Sequence, residues 1–222
     1  MPRTWDHLFP RSWYPTTTPL DLAKWQVPAC ASCNREYGKL ENDLLLRFGM
    51  CLDPGKAGAS GIPEKALRAM NPLLAKNPKD ALARQRTRAK FVAGMKPASS
   101  VPRESFYPSS HNSLPMGGSA ATVVLPRRSL QRLTEKFCRG IFYLESEAFI
   151  ESPYEIVHYA VRDQAAQPVV NLLIAHGKIY AREPGLTIHR AIAIDNPKEA
   201  LFSIELWGQI KMYASVSAPD AV

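Results

Sequence analysis

The N-terminal quarter of the chain has the apolar pattern of two short strands followed by a helix. Repeated Pro and Thr residues between positions 5 and 29 break helices, so we expect two strands joined by a long loop there. After residue 36 the apolar side chains recur at intervals of three and four, which is the spacing of one helical face. The residues on this face are Tyr37, Leu40, Leu44 and Phe48, and Gly49 is a natural end for the helix.

The remaining pattern predicts a helical middle segment and then a mixture of helix and strands. Two helices are expected at residues 63–74 and 78–94, followed by a Pro-, Ser- and Gly-rich connection at 97–120. An amphipathic helix then begins near Ser129, a residue type that favours helix N-caps. Five strands are expected after it, at residues 156–162, 169–175, 187–194, 201–206 and 209–216, with hairpin turns at Gly177 and Trp207–Gly208.

These elements predict an α+β fold in three segments. Residues 1–53 form a ββα unit, and residues 54–120 form a basic helical segment and linker. In residues 121–222 a helix covers one face of an antiparallel sheet. A hydrophobic content of 45% is enough for a substantial core.

Composition excludes several classes of protein. No apolar run approaches 18 residues, so we expect no membrane-spanning helix and no membrane partner. The N-terminus has no apolar stretch of signal-peptide length, so a cytoplasmic location is expected. In a reducing compartment, Cys30 and Cys33, spaced as C-x-x-C, favour a metal site over a disulfide. The chain contains no P-loop, dinucleotide-binding fingerprint, G-x-S-x-G or H-E-x-x-H motif, which weakens other enzyme classes.

The net charge of +8 comes from one segment. Residues 54–105 contain 11 basic and 3 acidic residues, whereas residues 1–53 contain 6 of each and residues 106–222 contain 11 of each. Lys and Arg displace counterions from phosphates, so this segment predicts a nucleic-acid partner, with double-stranded DNA expected first. The alternative is a solvated or disordered basic linker. The candidate phosphate contacts here are Arg84, Arg86, Arg88 and Lys90.

An acid–histidine pair, a C-x-x-C motif and an Asn at the start of the helix make a compact candidate metal site. Asp6 precedes His7 in the first strand, and Asn34 directly follows Cys33 at the start of the helix. Over residues 5–53 this arrangement resembles the HNH endonucleases, a family with a ββα-metal core. The resemblance implies a metal-dependent DNA endonuclease, in which His7 is the general base that activates water. Asp6 and Asn34 would hold the divalent ion, Mg²⁺ or Mn²⁺.

The resemblance also implies further binding roles. Lys39 matches the family's Lys after the cysteine motif and is a candidate phosphate contact. Arg11 and Arg35 are candidate phosphate contacts only because their side chains are long enough to reach the nucleic-acid backbone. Cys30 and Cys33 match two of the four ligands of a structural zinc site.

Two departures from the family pattern leave alternatives open. The family's middle Asn would fall near Lys24 or Trp25, so another group must orient His7. The family's first Cys pair would precede the acid–histidine pair, and it is not in this sequence. Three explanations are that the chain starts further upstream, that Cys51 or His111 completes a different site, or that zinc has been lost. The departures motivate a second hypothesis, a degenerate HNH-like module that binds nucleic acid or a protein without cutting.

The local geometry sets one condition and one further alternative. Adjacent residues of a strand point to opposite faces, so Asp6 and His7 reach one site only at a strand end or a bulge. Asn34 has the alternative role of a helix N-cap.

Overall fold

The computed structural model describes residues 3–102, 114–116, 119–161 and 163–218, and within them the chain is α+β. The α-helices are α1 (Ala31–Gly49), α2 (Ile62–Ala69), α3 (Pro78–Ala93), α4 (Arg127–Ser146) and α5 (Asp163–His176). The strands are β1 (Arg3–His7), β2 (Gln26–Cys30), β3 (Met95–Pro97), β4 (Leu114–Met116), β5 (Ser119–Val123), β6 (Glu155–Tyr159), β7 (Lys178–Tyr180), β8 (Leu186–Ile192), β9 (Ala200–Leu206) and β10 (Ile210–Ser217). Short 3₁₀ helices occur at Arg11–Trp13, Ala57–Ala59, Pro72–Leu74 and Ala98–Ser100.

The described strands form three antiparallel sheets. β1 and β2 are paired, with Asp6 opposite Val27 and His7 opposite Gln26, and α1 starts directly after β2. A three-stranded sheet has the order β3-β5-β4, and a five-stranded sheet has the order β6-β10-β9-β8-β7. In the large sheet β9 alternates fully between buried and half-buried positions, which is the pattern of a strand with one face on the core.

One cluster of buried side chains joins the N-terminal hairpin, α4 and the large sheet. Phe9 and Trp13 come from the loop after β1, Phe137 comes from α4, and Phe202 and Trp207 come from the sheet and its last turn. The rings of Trp13 and Trp207 have centroids 5.2 Å apart, and Trp207 Nε1 donates a hydrogen bond to the Trp13 carbonyl at 2.9 Å. Aromatic pairs of this kind add about 0.5–1.5 kcal/mol beyond the burial of their area.

Helix α4 lies against the end of β1 because one of its residues is glycine. A Cβ added at Gly140 would lie 2.3 Å from Leu8 Cδ1, a separation that real atoms do not adopt. The close approach also brings Lys136, one helical turn earlier, to the side of β1.

Most of the predicted elements are confirmed. The helices α1, α3 and α4 and the strands β6, β8, β9 and β10 lie within a few residues of their predicted ranges. Gly49 ends α1, and Trp207 and Gly208 lie in the turn between β9 and β10. None of the helices in the described part of the chain combines the length and the apolar character needed to span a bilayer.

The strand predicted at 169–175 is wrong, because these residues belong to helix α5. Their short apolar run fits a buried helix as well as a strand, and periodicity alone does not separate the two. In the structure the burial follows a helical period and not a strand period. Ala166 and Leu173, seven positions apart, are buried, whereas Leu172 and Ile174 are exposed. Gly177 therefore lies between a helix and a strand and not in a hairpin turn.

Two smaller expectations also needed correction. Ser129 lies inside α4, which begins after Pro126, so Ser129 does not cap the helix. The connection expected at 97–120 contains β4 and the start of β5, because β3 and β4 both pair with β5 in a short antiparallel sheet. Residues 103–113 and 117–118 lie outside the described residues, and His111 is among them.

Candidate functional site

The side chains of Asp6 and His7, at the end of β1, lie on opposite faces of the strand. The Asp6 carboxylate faces α4, where its Oδ2 lies 2.9 Å from Lys136 Nζ. His7 lines a pocket on the other side of the strand, together with Arg11 and Lys24. This divergence is what extended backbone requires of neighbouring residues, so the two side chains do not share one site.

Asp6 belongs to a buried group of three charges. Lys136 Nζ contacts both the Asp6 carboxylate and the Glu41 carboxylate, and the Lys136 side chain is only 4% exposed. Burial raises the pKa of Glu41, and the nearby Lys136 ammonium opposes that rise. The Lys136 ammonium also lies 5.4 Å from the centre of the Tyr37 ring. The group joins β1, α1 and α4 at a cost in desolvation, and its single ammonium is the counter-charge of two carboxylates.

His7 opens onto a cationic pocket with a volume of about 300 Å³. The pocket is lined by His7, Arg11, Leu22, Lys24 and Gln26. Gln26 Nε2 lies 3.4 Å from His7 Nε2, and His7 Nδ1 is buried without a hydrogen-bond partner among the described residues. No described group therefore orients His7 through Nδ1, which is the role that the family's middle Asn would have.

The electrostatics of this pocket favour neutral imidazole and an anionic ligand. Burial lowers the pKa of His7, the Arg11, Lys24 and Lys136 cations lower it further, and Asp6 opposes them. His7 is therefore neutral at pH 7. A bound anion would offset the cations and raise the pKa of His7 again.

The start of α1 has a different arrangement from the one expected. Cys30 is the N-cap residue, and its Sγ accepts the Cys33 N–H at 3.3 Å. Asn34 lies inside the first turn, so it is not the cap. Its Nδ2 donates a hydrogen bond to Thr4 Oγ1 at 3.3 Å, which ties the helix to β1. Thr4 and Asp6 share a face of β1, so Asn34 lies on the Asp6 side and not on the His7 side.

The predicted phosphate contacts are mostly exposed, but they are not one patch. Arg35 and Lys39 are exposed one turn apart on α1, and Arg11 is exposed at the pocket. On α3, Arg84 pairs with Asp80 at 3.1 Å and donates a hydrogen bond to the Arg68 carbonyl, so its role is structural. The exposed cations of that helix are Lys79, Arg86, Arg88 and Lys90.

The residues present do not fit the metals that the resemblance implies. Among the described residues, no group of three or more His, Cys, Asp or Glu side chains could hold a metal ion. Asp6 is already ion-paired with Lys136, and the Asn34 side chain is hydrogen-bonded to Thr4. Cys51 lies beyond the far end of α1, about 30 Å along the helix from Cys30, so it cannot join the cysteine pair.

Comparison of the chain with models of protein families, with curated proteins and with solved structures finds no match. The HNH resemblance of residues 5–53 therefore stays a prediction.

Sequence reasoning missed Lys136, Glu41 and the pocket role of Lys24. A signal for Glu41 was present, because it falls on the apolar face of α1, four positions after Tyr37 and three before Leu44. A carboxylate at such a position needs a buried partner. No local pattern identifies Lys136 as that partner, since 95 positions separate the two residues.

Proposed function

We propose that the protein binds nucleic acid, and that the cationic pocket around His7 holds a phosphodiester of the backbone. The observation behind this proposal is the convergence of His7, Arg11 and Lys24 on one open pocket, together with the amide of Gln26. None of the five described residues that line it is acidic. Its volume is at the lower end for ligand sites, which suits one phosphodiester unit.

Charge elsewhere on the molecule supports the same partner. The exposed cations of α3 include Lys79, Arg86 and Lys90, which recur at intervals of seven and four and so lie along one side of the helix. Such a row can follow a phosphate backbone, whereas isolated lysines and arginines on a surface have no preferred partner. The half-buried Asp6 is ion-paired with Lys136, which weakens its repulsion of an anion at the pocket.

A salt titration of DNA binding tests the proposal. The dissociation constant of the full-length protein for a labelled DNA duplex is measured by fluorescence anisotropy at several salt concentrations. We expect Arg11→Gln/Lys24→Gln to reduce the slope of log K against log salt by about 2, one for each phosphate contact removed. Lys178→Gln/Lys198→Gln, which makes the same charge change at exposed positions outside the pocket and outside the basic segment 54–105, should leave the slope unchanged. Equal slopes for the two double variants would refute the pocket as the phosphate site.

A second candidate function is phosphodiester hydrolysis with His7 as the general base. One observation favours it: the lowered pKa of His7 keeps the imidazole neutral at pH 7, and a base must be unprotonated to accept a proton from water. The positions of Asp6 and Asn34 do not support the divalent ion that the HNH resemblance implies.

Plasmid nicking separates the two candidates. Supercoiled plasmid is incubated with the wild-type protein and with His7→Ala, in Mg²⁺, in Mn²⁺ and in EDTA. Nicking that is lost in the variant would establish hydrolysis at His7. Binding without nicking under all three conditions is the result expected of the binding module. Nicking that persists in the variant would exclude His7 as the base.

A further inference from the structure

The cysteine pair at the start of α1 has the geometry of a reactive dithiol. Cys30 ends β2 and is the N-cap of α1, where unsatisfied backbone N–H groups favour negative charge. Its Sγ accepts the Cys33 N–H at 3.3 Å and lies 3.0 Å from Ser32 Oγ. Both sulfurs are accessible, because Cys33 is exposed and Cys30 is half-buried.

The two thiols differ in acidity in the way that an attacking and a resolving cysteine differ. Hydrogen bonds from Ser32 and then from Cys33 lower the pKa of Cys30 to about 7. The pKa of Cys33 is raised, first by its hydrogen bond to Cys30 and then by burial. The helix N-terminus and the two hydrogen bonds at Cys30 Sγ favour its thiolate, which is the nucleophilic form.

The other two cysteines lack these features. Burial raises the pKa of Cys51 to about 11, and it raises the pKa of the fully buried Cys138 as well. A metal ion bound by the pair would lack further protein ligands, since no described His, Cys, Asp or Glu completes a group of three with Cys30 and Cys33. The remaining chemistry of two accessible, hydrogen-bonded thiols in a C-x-x-C motif is redox chemistry.

We propose that Cys30 and Cys33 form a thiol–disulfide exchange site. The Cys30 thiolate attacks one sulfur of a small-molecule or protein disulfide, the S–S bond of that substrate breaks, and one thiolate leaves. Cys33 then loses its proton and attacks Cys30 Sγ, which forms the Cys30–Cys33 disulfide and releases the second thiolate. In total, the protein dithiol is oxidised by two electrons and the substrate disulfide is reduced to two thiols.

The reaction is independent of nucleic-acid binding. It uses the N-terminus of α1, whereas the phosphodiester pocket is lined by residues of the hairpin and its loop. Failure of one proposal therefore leaves the other standing.

Equilibration of the full-length protein with glutathione disulfide and glutathione tests this proposal. Free thiols are trapped by alkylation and mapped by mass spectrometry. We expect a reversible Cys30–Cys33 disulfide in the wild type and in Cys51→Ser. In Cys33→Ser we expect one glutathione to accumulate on Cys30, because the resolving thiol is gone. Cys30→Ser should form neither product.

The pH dependence of alkylation provides a second readout that does not depend on disulfide formation. Cys33→Ser keeps the backbone N–H that donates to Cys30 Sγ, so Cys30 is alkylated in this variant and in the wild type side by side. Alkylation of Cys30 in the wild type should reach half its maximal rate near pH 7, about two units below an ordinary thiol. The proposal would be overturned by an absent Cys30–Cys33 disulfide at every glutathione ratio, by a midpoint near pH 9, or by one tightly bound Zn²⁺ per chain that protects both thiols.

Discussion

Lys136→Met should destabilise the protein strongly, and the loss should depend on pH. The Lys136 ammonium lies 2.9 Å from Asp6 Oδ2 and also contacts Glu41, and the three side chains are 4%, 12% and 11% exposed respectively. Breaking a buried ion pair by removing one partner typically costs about 3–5 kcal/mol, because a buried charge is left without compensation. The methionine preserves most of the volume of the side chain, so packing contributes little to the change.

The loss of stability depends on pH because a buried carboxylate that lacks the Lys136 ammonium can take up a proton instead. Glu41 already has a raised pKa because it is buried, and loss of Lys136 raises that pKa further. Taking up a proton at pH 7 costs about 4 kcal/mol for a glutamate with an ordinary unfolded-state pKa, and at pH 5 it costs only about 1 kcal/mol. A folded-state pKa above the unfolded value gives stability that is full at low pH and is lost as the pH rises. Protonation of Glu41 alone therefore predicts a loss of about 4 kcal/mol at pH 7 and about 1 kcal/mol at pH 5, and the unpaired Asp6 adds to the loss.

Urea unfolding followed by tryptophan fluorescence measures this loss, since Trp13 and Trp207 are both buried. Lys178→Met is the matched control. It removes an exposed ion pair with Glu145 and should cost less than about 1 kcal/mol at either pH. A loss below 1 kcal/mol at pH 7 for Lys136→Met, or a loss that is equal at pH 7 and pH 5, would refute the reasoning.

Three further predictions follow from the pocket, from α3 and from the core. DNA affinity should increase as the pH falls below the lowered pKa of His7, because the protonated imidazole adds a cation to the pocket; His7→Gln should abolish this pH dependence in anisotropy titrations. Arg86→Gln/Lys90→Gln should reduce the salt slope of DNA binding by about 2 without changing the urea midpoint, and an unchanged slope would remove α3 from the interface. Phe137→Ala should lower the free energy of unfolding by about 3–5 kcal/mol, as measured by urea titration, because Phe137 is fully buried; a loss below about 1 kcal/mol would show that the core closes around the cavity.

Most helices and strands could be predicted from the sequence, because the hydrophobic patterns that identify them are local. The alternation of apolar and polar residues along β9 and the three-and-four spacing of apolar residues on α1 and α4 each identify an element without reference to the rest of the chain. The failure at residues 169–175 had a local cause too. A run of apolar residues shorter than two helical turns lacks the length that distinguishes a helix from a buried strand.

The candidate site was harder to predict from the sequence, because its geometry depends on contacts between distant parts of the chain. The adjacency of Asp6 and His7 suggested one shared site, but Lys136 of α4 holds Asp6 on the opposite side of β1. The same separation in sequence concealed the cationic pocket, in which Lys24 joins His7 only after the loop between β1 and β2 has folded back. Residue type identifies His7 as a titratable side chain, but only the fold shows which charges surround it.

The most direct test of the central claim is the pKa of His7 with and without DNA, measured by NMR of the imidazole ring in the full-length protein. If a phosphodiester enters the pocket, the His7 resonances shift on addition of a short duplex and its pKa rises, because the anion offsets Arg11 and Lys24. The ring resonances of His176, which is exposed at the end of α5, serve as the internal control and should not shift on addition of the duplex. DNA that binds while the pKa of His7 stays constant, or no binding at low salt, would contradict the account.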